Sequence, residues 1–382
     1  MPLRFRSLKI AVWALLSLVA LTLGRPLHPQ PSAPLDWPHL RGPHYDGMAR
    51  EAKLADAWPA EGPPILWTCA LGQGYSGFAV VGGRAFTQFQ QLSGQHLICL
   101  DADSGNELWR LRYDAAWQRS GAYPGPYASP TFSERRVFFA SPSGLVGAAD
   151  AATGALLWSR NLLREFHGRG AGFGFACTPL VEEGLVIFPV GGPGASLVAL
   201  RAHDGSVAWQ AGDDPASYCP ALPITWKGRR LVVGYLRNAL LLCDLKTGRI
   251  VGRVPLSADY DEHSAWPIWR EPDLLLAAPF RLGAQLLRLE PKDADVMPRL
   301  VWSAPHFSND VMSSVLFEGH VYGFDLKDLQ ARVHRSSRGV FRCLDFATGK
   351  VAWSTEEIGH ASLIVADGKL ILLNDAGTLI LA

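Results

Sequence analysis

One phrase recurs five times along the chain: LDADSGNELW ending at Trp109, ADAATGALLW at Trp158, LRAHDGSVAW at Trp209, CDLKTGRIVG at Gly252 and LDFATGKVAW at Trp353. Self-similarity at a period of tens of residues means that one small unit cannot bury its apolar face alone and must stack on copies of itself. The phrase also shows what the unit contains. The apolar alternation ahead of it, as in His96-Leu-Ile-Cys-Leu100, reads as a half-buried strand. Asp-x-x-Thr/Ser-Gly is then a hairpin turn: the Asp carboxylate bonds backbone a few residues on, and Gly takes the positive φ that closes it. A second strand follows and ends on Trp, whose indole can wedge between neighbouring sheets while its N–H finds an acceptor.

The repeat positions are Trp67, Trp109, Trp158, Trp209, Val251, Trp302 and Trp353, about 48 residues apart on average, which suits one four-stranded blade per repeat. Each interval also carries an apolar run after a small residue, such as Ala128-Ser-Pro-Thr-Phe or Cys177-Thr-Pro-Leu-Val, for the blade's first strand. After Trp353 three strands remain (361–366, 369–373, 378–381), whereas Ile65–Leu71 is a Trp-bearing fourth strand with no first three. The two ends are expected to share a blade, closing the ring and removing its exposed edges. The expected fold is therefore all-β: a seven-bladed β-propeller of four-stranded antiparallel blades, closed by the N-terminal strand. An eighth blade stays open if the chain is truncated.

Length alone, 382 residues, would suggest two or three domains, but a closed ring of repeats is one unit. A formal net charge of +1, with no cationic stretch beyond residue 25, excludes an electrostatic footprint for nucleic acid. Arg4, Arg6 and Lys9 precede an apolar run from Ile10 to Leu23, so residues 1–24 read as a signal peptide or N-terminal anchor, and the chain as exported. The expected location is periplasmic, free or anchored. Residues 25–63 form a proline-rich tether and arm, and 64–382 the propeller. Cys99, Cys243 and Cys343 hold one repeat position and read as small core residues. Cys177 and Cys219 align on the inner strands of adjacent blades, close enough for a disulfide to be considered.

Repeats of the form A-x-D-x-x-T-G-x-x-x-W resemble the tryptophan-docking motif of the pyrroloquinoline-quinone (PQQ) propeller superfamily. That group holds quinoprotein alcohol dehydrogenases and the non-catalytic propeller lipoprotein of the outer-membrane barrel-assembly machinery. The phrase Asp36-Trp-Pro-His-Leu-Arg-Gly-Pro-His-Tyr-Asp-Gly47 is similar to the W-P-x-x-R-G-P opening of exported PQQ-like repeat proteins. The resemblance runs from Trp37 to the end. A quinoprotein reading would imply PQQ sandwiched in the channel, calcium held by Glu, Asn and Asp, a catalytic Asp, and a disulfide between adjacent cysteines. This chain has no Cys-Cys pair, and Asn309-Asp310 is the nearest match to the metal-and-base pair, with no evident Glu.

Residues just ahead of the inner strands supply a candidate ligand ring at the channel mouth: Tyr75, Tyr127, Tyr218, His263 and His360. Aromatic and imidazole groups around a concavity suit a planar or glycan-like ligand. Against this stands the simpler reading that the Tyr hydroxyls tie neighbouring blades. Two histidines without a third at recognisable spacing give no zinc set, and no metal is expected. Arg41 suits a carboxylate from a ligand or from the propeller itself. Asp101–Glu107 lacks the length of a calcium loop. Gly168-Arg-Gly-Ala-Gly-Phe-Gly174 precedes a strand, so it is no dinucleotide cradle. The insertion Asp325–Gly339 reads as a solvated hairpin.

Three functions follow in order: an exported non-catalytic scaffold for an envelope protein partner, a PQQ-dependent dehydrogenase with a degenerate site, and a small-ligand binder using the tyrosine–histidine ring. No cofactor is expected except PQQ with calcium under the second.

Overall fold

The computed structural model describes residues 36–50, 52–118, 123–256, 263–279, 282–326 and 339–382. The segment 1–24 and most of the 325–339 insertion lie outside these residues. Seven four-stranded sheets make up the described chain, and the only helix among its described elements is one turn at Leu162–Glu165. These are the blades of a seven-bladed β-propeller.

Blade 3 shows the unit: Leu180–Glu182 innermost, then Leu185–Gly192, Ala195–Arg201 and Val207–Ala211, each antiparallel to the last. Its third strand buries Leu197, Val198, Ala199 and Leu200 in succession. Strict alternation is lost because both faces of a middle strand are covered, one by each neighbouring blade. Outer strands meet solvent, and Leu156 and Leu157 of blade 2 are about half exposed.

The repeated turn behaves as its residues require. In blade 2 the Asp150 carboxylate accepts from the Thr153 backbone N–H at 2.9 Å and from its hydroxyl at 2.9 Å. These bonds, the hydroxyl first, hold the Asp150 carboxyl below its usual range. Gly154 closes the turn at φ 74°. The preceding blade's indole lies on that turn. Trp109 Nε1 donates to the Ala151 carbonyl at 3.1 Å, and a Cβ on Gly154 would stand 2.6 Å from the Trp109 ring. The same arrangement joins Trp67 to Ala102 and Gly105, Trp158 to Ala202 and Gly205, Trp209 to Leu245 and Gly248, and Trp302 to Phe346 and Gly349. Glycine is thus required twice over, by φ and by the ring above it.

Two seams depart from the pattern. Blade 4 has Val251 where the Trp would be, and blade 5 has no Thr-Gly turn to receive one; there Trp226, at the end of an inner strand, donates to the Leu289 carbonyl at 3.2 Å instead. Trp353 faces blade 7, which also lacks such a turn, and is 45% exposed.

Blade 7 is closed by an N-terminal strand, but a different one from that expected. Its sheet runs Met48–Ala49, Ala361–Ala366, Lys369–Asn374, Leu379–Leu381, with Met48–Ala49 parallel to the inner strand opposite Val365 and Ala366. Residues 65–71 carry no strand, and Ile65 and Leu66 are 80% and 82% exposed. Their lead-in, Pro63-Pro64, has no N–H to give a ladder. Trp67 nevertheless reaches blade 1 as an outer-strand Trp would.

Met48 and Ala49 are delivered by an arm that runs inside the ring. Trp37 exchanges two backbone bonds with Val80 of blade 1 (2.6 and 2.8 Å), and the Pro38 carbonyl accepts from Phe132 of blade 2 at 2.7 Å. Tyr45 Oη donates to the Val181 carbonyl of blade 3 at 3.1 Å, and its ring stacks on Trp266, ahead of blade 5's inner strand, at 5.8 Å. Arg41 reaches the Ser314 carbonyl ahead of blade 6's inner strand at 2.6 Å, and Gly47 accepts from Val365 of blade 7 at 2.9 Å. One short segment thus touches the innermost elements of six blades and spans the channel between them, meeting blades 1 to 3 next to their first hairpins at Val80, Phe132 and Val181.

All six cysteines are free thiols. Strand pairing also corrects the alignment of Cys177 with Cys219. Leu180 pairs with Ile187 and Ile224 with Leu231 next to equivalent hairpins, so the blade 4 equivalent of Cys177 is Ala221. Cys219 lies further back, and the Cys177 thiol bonds the Cys219 carbonyl at 3.6 Å.

Candidate functional site

The end of the channel where the inner strands begin is built from the loops that link one blade to the next. These loops are rich in glycine because backbones pass close together. A Cβ on Gly125, at φ 97°, would lie 2.7 Å from the Gln73 carbonyl. The Tyr75 N–H donates to the Pro126 carbonyl at 2.9 Å, tying the first two loops.

On this base the aromatic residues form a row. The Tyr127 and Tyr75 rings stack at 5.9 Å, and Tyr75 meets Tyr123 edge-on at 5.6 Å. Tyr123 stacks on Phe173 at 6.5 Å, and Phe173 meets Tyr218 at 6.0 Å. The Phe173 backbone N–H donates to Tyr218 Oη at 2.8 Å, and the Tyr127 hydroxyl bonds the Tyr123 carbonyl. Tyr75 is 58% exposed, Tyr123 51% and Phe173 36%, while Tyr218 is buried at the end of the row. Burial, then the neighbouring Tyr123, raises the Tyr75 phenol above its usual range.

The five expected mouth residues therefore divide. Tyr75 and Tyr127 touch, and Tyr218 joins them through Tyr123 and Phe173. His263 and His360 stand apart from the row. His263 is buried, stacks on Tyr235 at 4.3 Å, and its carbonyl accepts from the Tyr218 N–H at 3.0 Å. It lines a pocket of about 330 Å³ with Tyr235, Leu276, Leu282 and Gln285. His360 is buried against the edge of Phe324 at 5.7 Å, with Nε2 4.0 Å from Asp310. Tyr123 and Phe173 were missed. The signals were the Tyr/Pro/Gly run ending at Tyr127 and the 168–174 glycine run, whose aromatic residue mattered more than its glycines.

Arg41 is placed inside the channel rather than at its mouth. It is 8% exposed, and its guanidinium donates to the carbonyls of Ser314 (2.6 Å) and Asp46 (3.0 Å). The arm is thus pinned by backbone carbonyls, where a carboxylate partner was expected. Desolvation by burial, partly offset by Asp46, lowers its pKa to about 10. His39 stacks on Tyr45 at 4.0 Å, and burial followed by repulsion from His44 lowers its pKa to about 4.

Asn309 has its amide committed internally: Nδ2 donates to the Phe324 carbonyl at 2.9 Å, and Oδ1 accepts from Ser314 Oγ at 2.8 Å. Both ends of the Asn309 amide thus have partners within the protein, and a planar cofactor in the part of the channel that the arm crosses would meet the stacked His39, Tyr45 and Trp266.

A family model described as outer membrane protein assembly factor BamB matches residues 93–268. Residues 93–268 are PQQ-like propeller repeats. No curated protein matches the sequence. Among solved structures, the propeller is similar to BamB from Moraxella catarrhalis (TM-score 0.53, 17% identity, 81% of each chain). It is also similar to a europium-containing methanol dehydrogenase (TM-score 0.54, 15% identity, 78% of this chain and 72% of that one). A third is the quinohemoprotein alcohol dehydrogenase ADHIIG from Pseudomonas putida HK5 (TM-score 0.52, 13% identity, 77% and 61%). At such identities the likeness concerns the fold alone.

Proposed function

We propose that the protein is an exported, non-catalytic propeller that presents its mouth loops to a protein partner in the cell envelope. The observation that carries this reading is the arm: the axis, where a propeller enzyme would seat a cofactor, holds the chain's own His39, Arg41 and Tyr45. The ring is then a rigid support, and what it offers to other molecules is loops and side chains at its faces. The charged, apolar N-terminal segment favours the envelope, as does the family description of an outer membrane assembly factor. Partners are taken to be envelope proteins rather than nucleic acid, with membrane contact only through residues 1–24. No cofactor enters the proposed activity.

The reading is tested by placing a photo-crosslinking residue at Tyr123 in the full chain in its native cells, with a second at Gly319 on the opposite hairpins as control. A discrete envelope-protein adduct from Tyr123 and none from Gly319 is expected. No adduct from Tyr123, Tyr75 or Phe173 sinks the proposal.

A further inference from the structure

Blade 7 gains a strand on its inner side and lacks one on its outer side. In all five blades whose outer strand carries the tryptophan, one register position lines up across the sheet. It joins the third residue of the second strand, its partner in the third strand, and the Trp, as in Phe86–Cys99–Trp109 and Phe138–Ala148–Trp158. In blade 7 the series runs Ile371–Leu381 and stops, and no strand is paired beyond Leu379–Leu381 among the described residues. The ladder fixes which backbone groups face that edge. Asn374 donates to the Thr378 carbonyl at 3.0 Å, and Leu370 and Ala382 exchange bonds of 2.7 and 2.9 Å. Thr378, Ile380 and Ala382 therefore turn their backbone inward, while Leu379 and Leu381 present N–H and C=O at the open edge.

The tryptophan missing from this series is present in the molecule. Trp67 donates Nε1 to the Ala102 carbonyl at 3.0 Å, and a Cβ on Gly105 would lie 2.4 Å from its ring, yet it belongs to no strand. The chain reaches it from blade 7 and leaves it along blade 1. Leu54 N–H donates to Asp367, in the first hairpin of blade 7, at 3.0 Å, and Gln73 exchanges bonds of 2.9 and 2.7 Å with Gln90 near the mouth of blade 1. Residues 67–71 thus follow the course of an outer strand along the seam between the two blades. Side-chain facing sets the register independently. Leu372 and Ile380 pack with Phe324 and Phe341 of blade 6, so Leu379 and Leu381 turn toward blade 1. Trp67 and Leu71 pack with Phe89 and Ile98 of blade 1. Trp67 opposite Leu381 puts Cys69 opposite Leu379 and keeps residues 67, 69 and 71 on that face. A slip of one residue would turn Trp67 away. Pro63 and Pro64 lie ahead of this register and take no N–H from it.

We infer that residues 67–71 are a strap that fastens onto the Leu379–Leu381 edge, Trp67 opposite Leu381 and Cys69 opposite Leu379, and completes blade 7 from outside. The structure holds the strap docked by its indole and unfastened along its backbone. In that state Leu373 and Leu379 are 52% and 43% exposed, and the edge can accept a strand. Leu379 and Leu381 cannot pair with the strap and with another strand at once. The strap therefore sets whether blade 7 offers an open edge.

Residue-resolved hydrogen exchange on the full chain reads the strap directly. Fastening protects the amides of Trp67, Cys69, Leu379 and Leu381 and leaves those of Thr68 and Ala70, which point away, open to solvent. Protection at the four positions about tenfold or more above Thr68 and Ala70 is expected. Cys69 is exposed, and Cys69→Pro removes the N–H that would reach the Leu379 carbonyl. Leu379 and Leu381 should then exchange about tenfold faster, while Ile380 and blades 2 and 3 keep their protection. Wild-type Leu379 and Leu381 exchanging as fast as Thr68 would overturn the strap. So would edge protection that survives Cys69→Pro, since another strand would then be the occupant. A second measurement fixes the register. Paired residues stand about 5.5 Å apart at Cα, within disulfide range. In Leu379→Cys, oxidised glutathione should take two electrons and two protons from Cys69 and the new thiol and leave them bonded. In Thr378→Cys, whose side chain faces blade 6, the bond should form about tenfold more slowly or not at all. Equal rates in the two variants would remove the register and the strap with it. The scaffold reading is independent of this outcome and stands or falls by crosslinking at the mouth.

Discussion

The seam between blades 2 and 3 and the closure at blade 7 solve one problem by opposite means. At the first, Trp158 is only 9% exposed, its N–H bonds the Ala202 carbonyl, and its ring covers Gly205. At the second, Trp353 has no Thr-Gly turn to cover and is 45% exposed, held by an edge contact to Phe341 and a tilted one to Tyr322. The missing outer seal is offset from within, where the arm adds a parallel strand to blade 7 and fixes Arg41 against Ser314. A tryptophan at the repeat position is therefore not by itself a seal. It becomes one only when the next blade offers a glycine turn beneath it.

That difference should dominate mutational stability. Trp158→Ala removes a buried aromatic and leaves a carbonyl unpaired, and should cost about 3–5 kcal/mol in denaturant titration. Loss of less than about 1 kcal/mol would show that the indole does not seal the seam.

The inner closure should instead respond to pH. Burial holds His39 neutral with its pKa lowered to about 4, against 6.5 for the free side chain. The folded pKa is depressed, so this stability is fully present above pH 6.5 and is lost as pH falls from there toward 4. Two and a half units correspond to about 3 kcal/mol at the upper limit. Hydrogen exchange should show the arm and the inner strand of blade 7 loosening in that window while blades 2 and 3 stay protected. His39→Phe should flatten the dependence; equal loosening of all blades would detach it from the arm.

Smaller effects sharpen the contrast. Gly205→Ala puts a Cβ 2.7 Å from Trp158 at φ 72° and should cost about 1–3 kcal/mol, whereas Gly377→Ala, at φ 82° with open space, should cost about 1 kcal/mol from backbone strain alone. Equal melting shifts for the two would mean that the indole does not press on the turn. Smallest of all, Trp353→Ala should change stability by about 0.5 kcal/mol or less, as for an exposed residue.

The blades were legible in the sequence because turn and seal are local: Asp, Thr, Gly and Trp lie within one hairpin and its neighbouring strand. The position of the arm was not, because its contacts join Trp37, Arg41 and Tyr45 to Val80, Ser314 and Val181. The W-P-x-x-R-G-P phrase marked those residues without revealing that they face inward. Ile65–Leu71 read as a closing strand because its Trp keeps the repeat's spacing, and spacing cannot report whether a ladder forms. At the mouth, taking the residue just ahead of each expected inner strand placed Tyr218 and His263 level with Tyr75 and Tyr127. Loops of different length between the blades shift that register, so the expected ring became a row of tyrosines with two separate buried histidines. Tyr123 and Phe173 escaped notice because they sit in mid-loop, where no periodicity points to them.

The most direct test of a self-occupied axis is a titration of the purified propeller with PQQ, with and without calcium, followed by intrinsic tryptophan fluorescence. Trp266 lies against the arm and would report a ligand on the axis. No saturable quenching up to high micromolar PQQ is predicted, with calcium making no difference. Saturable, calcium-dependent quenching would mean that the arm yields to a cofactor, and would contradict the account.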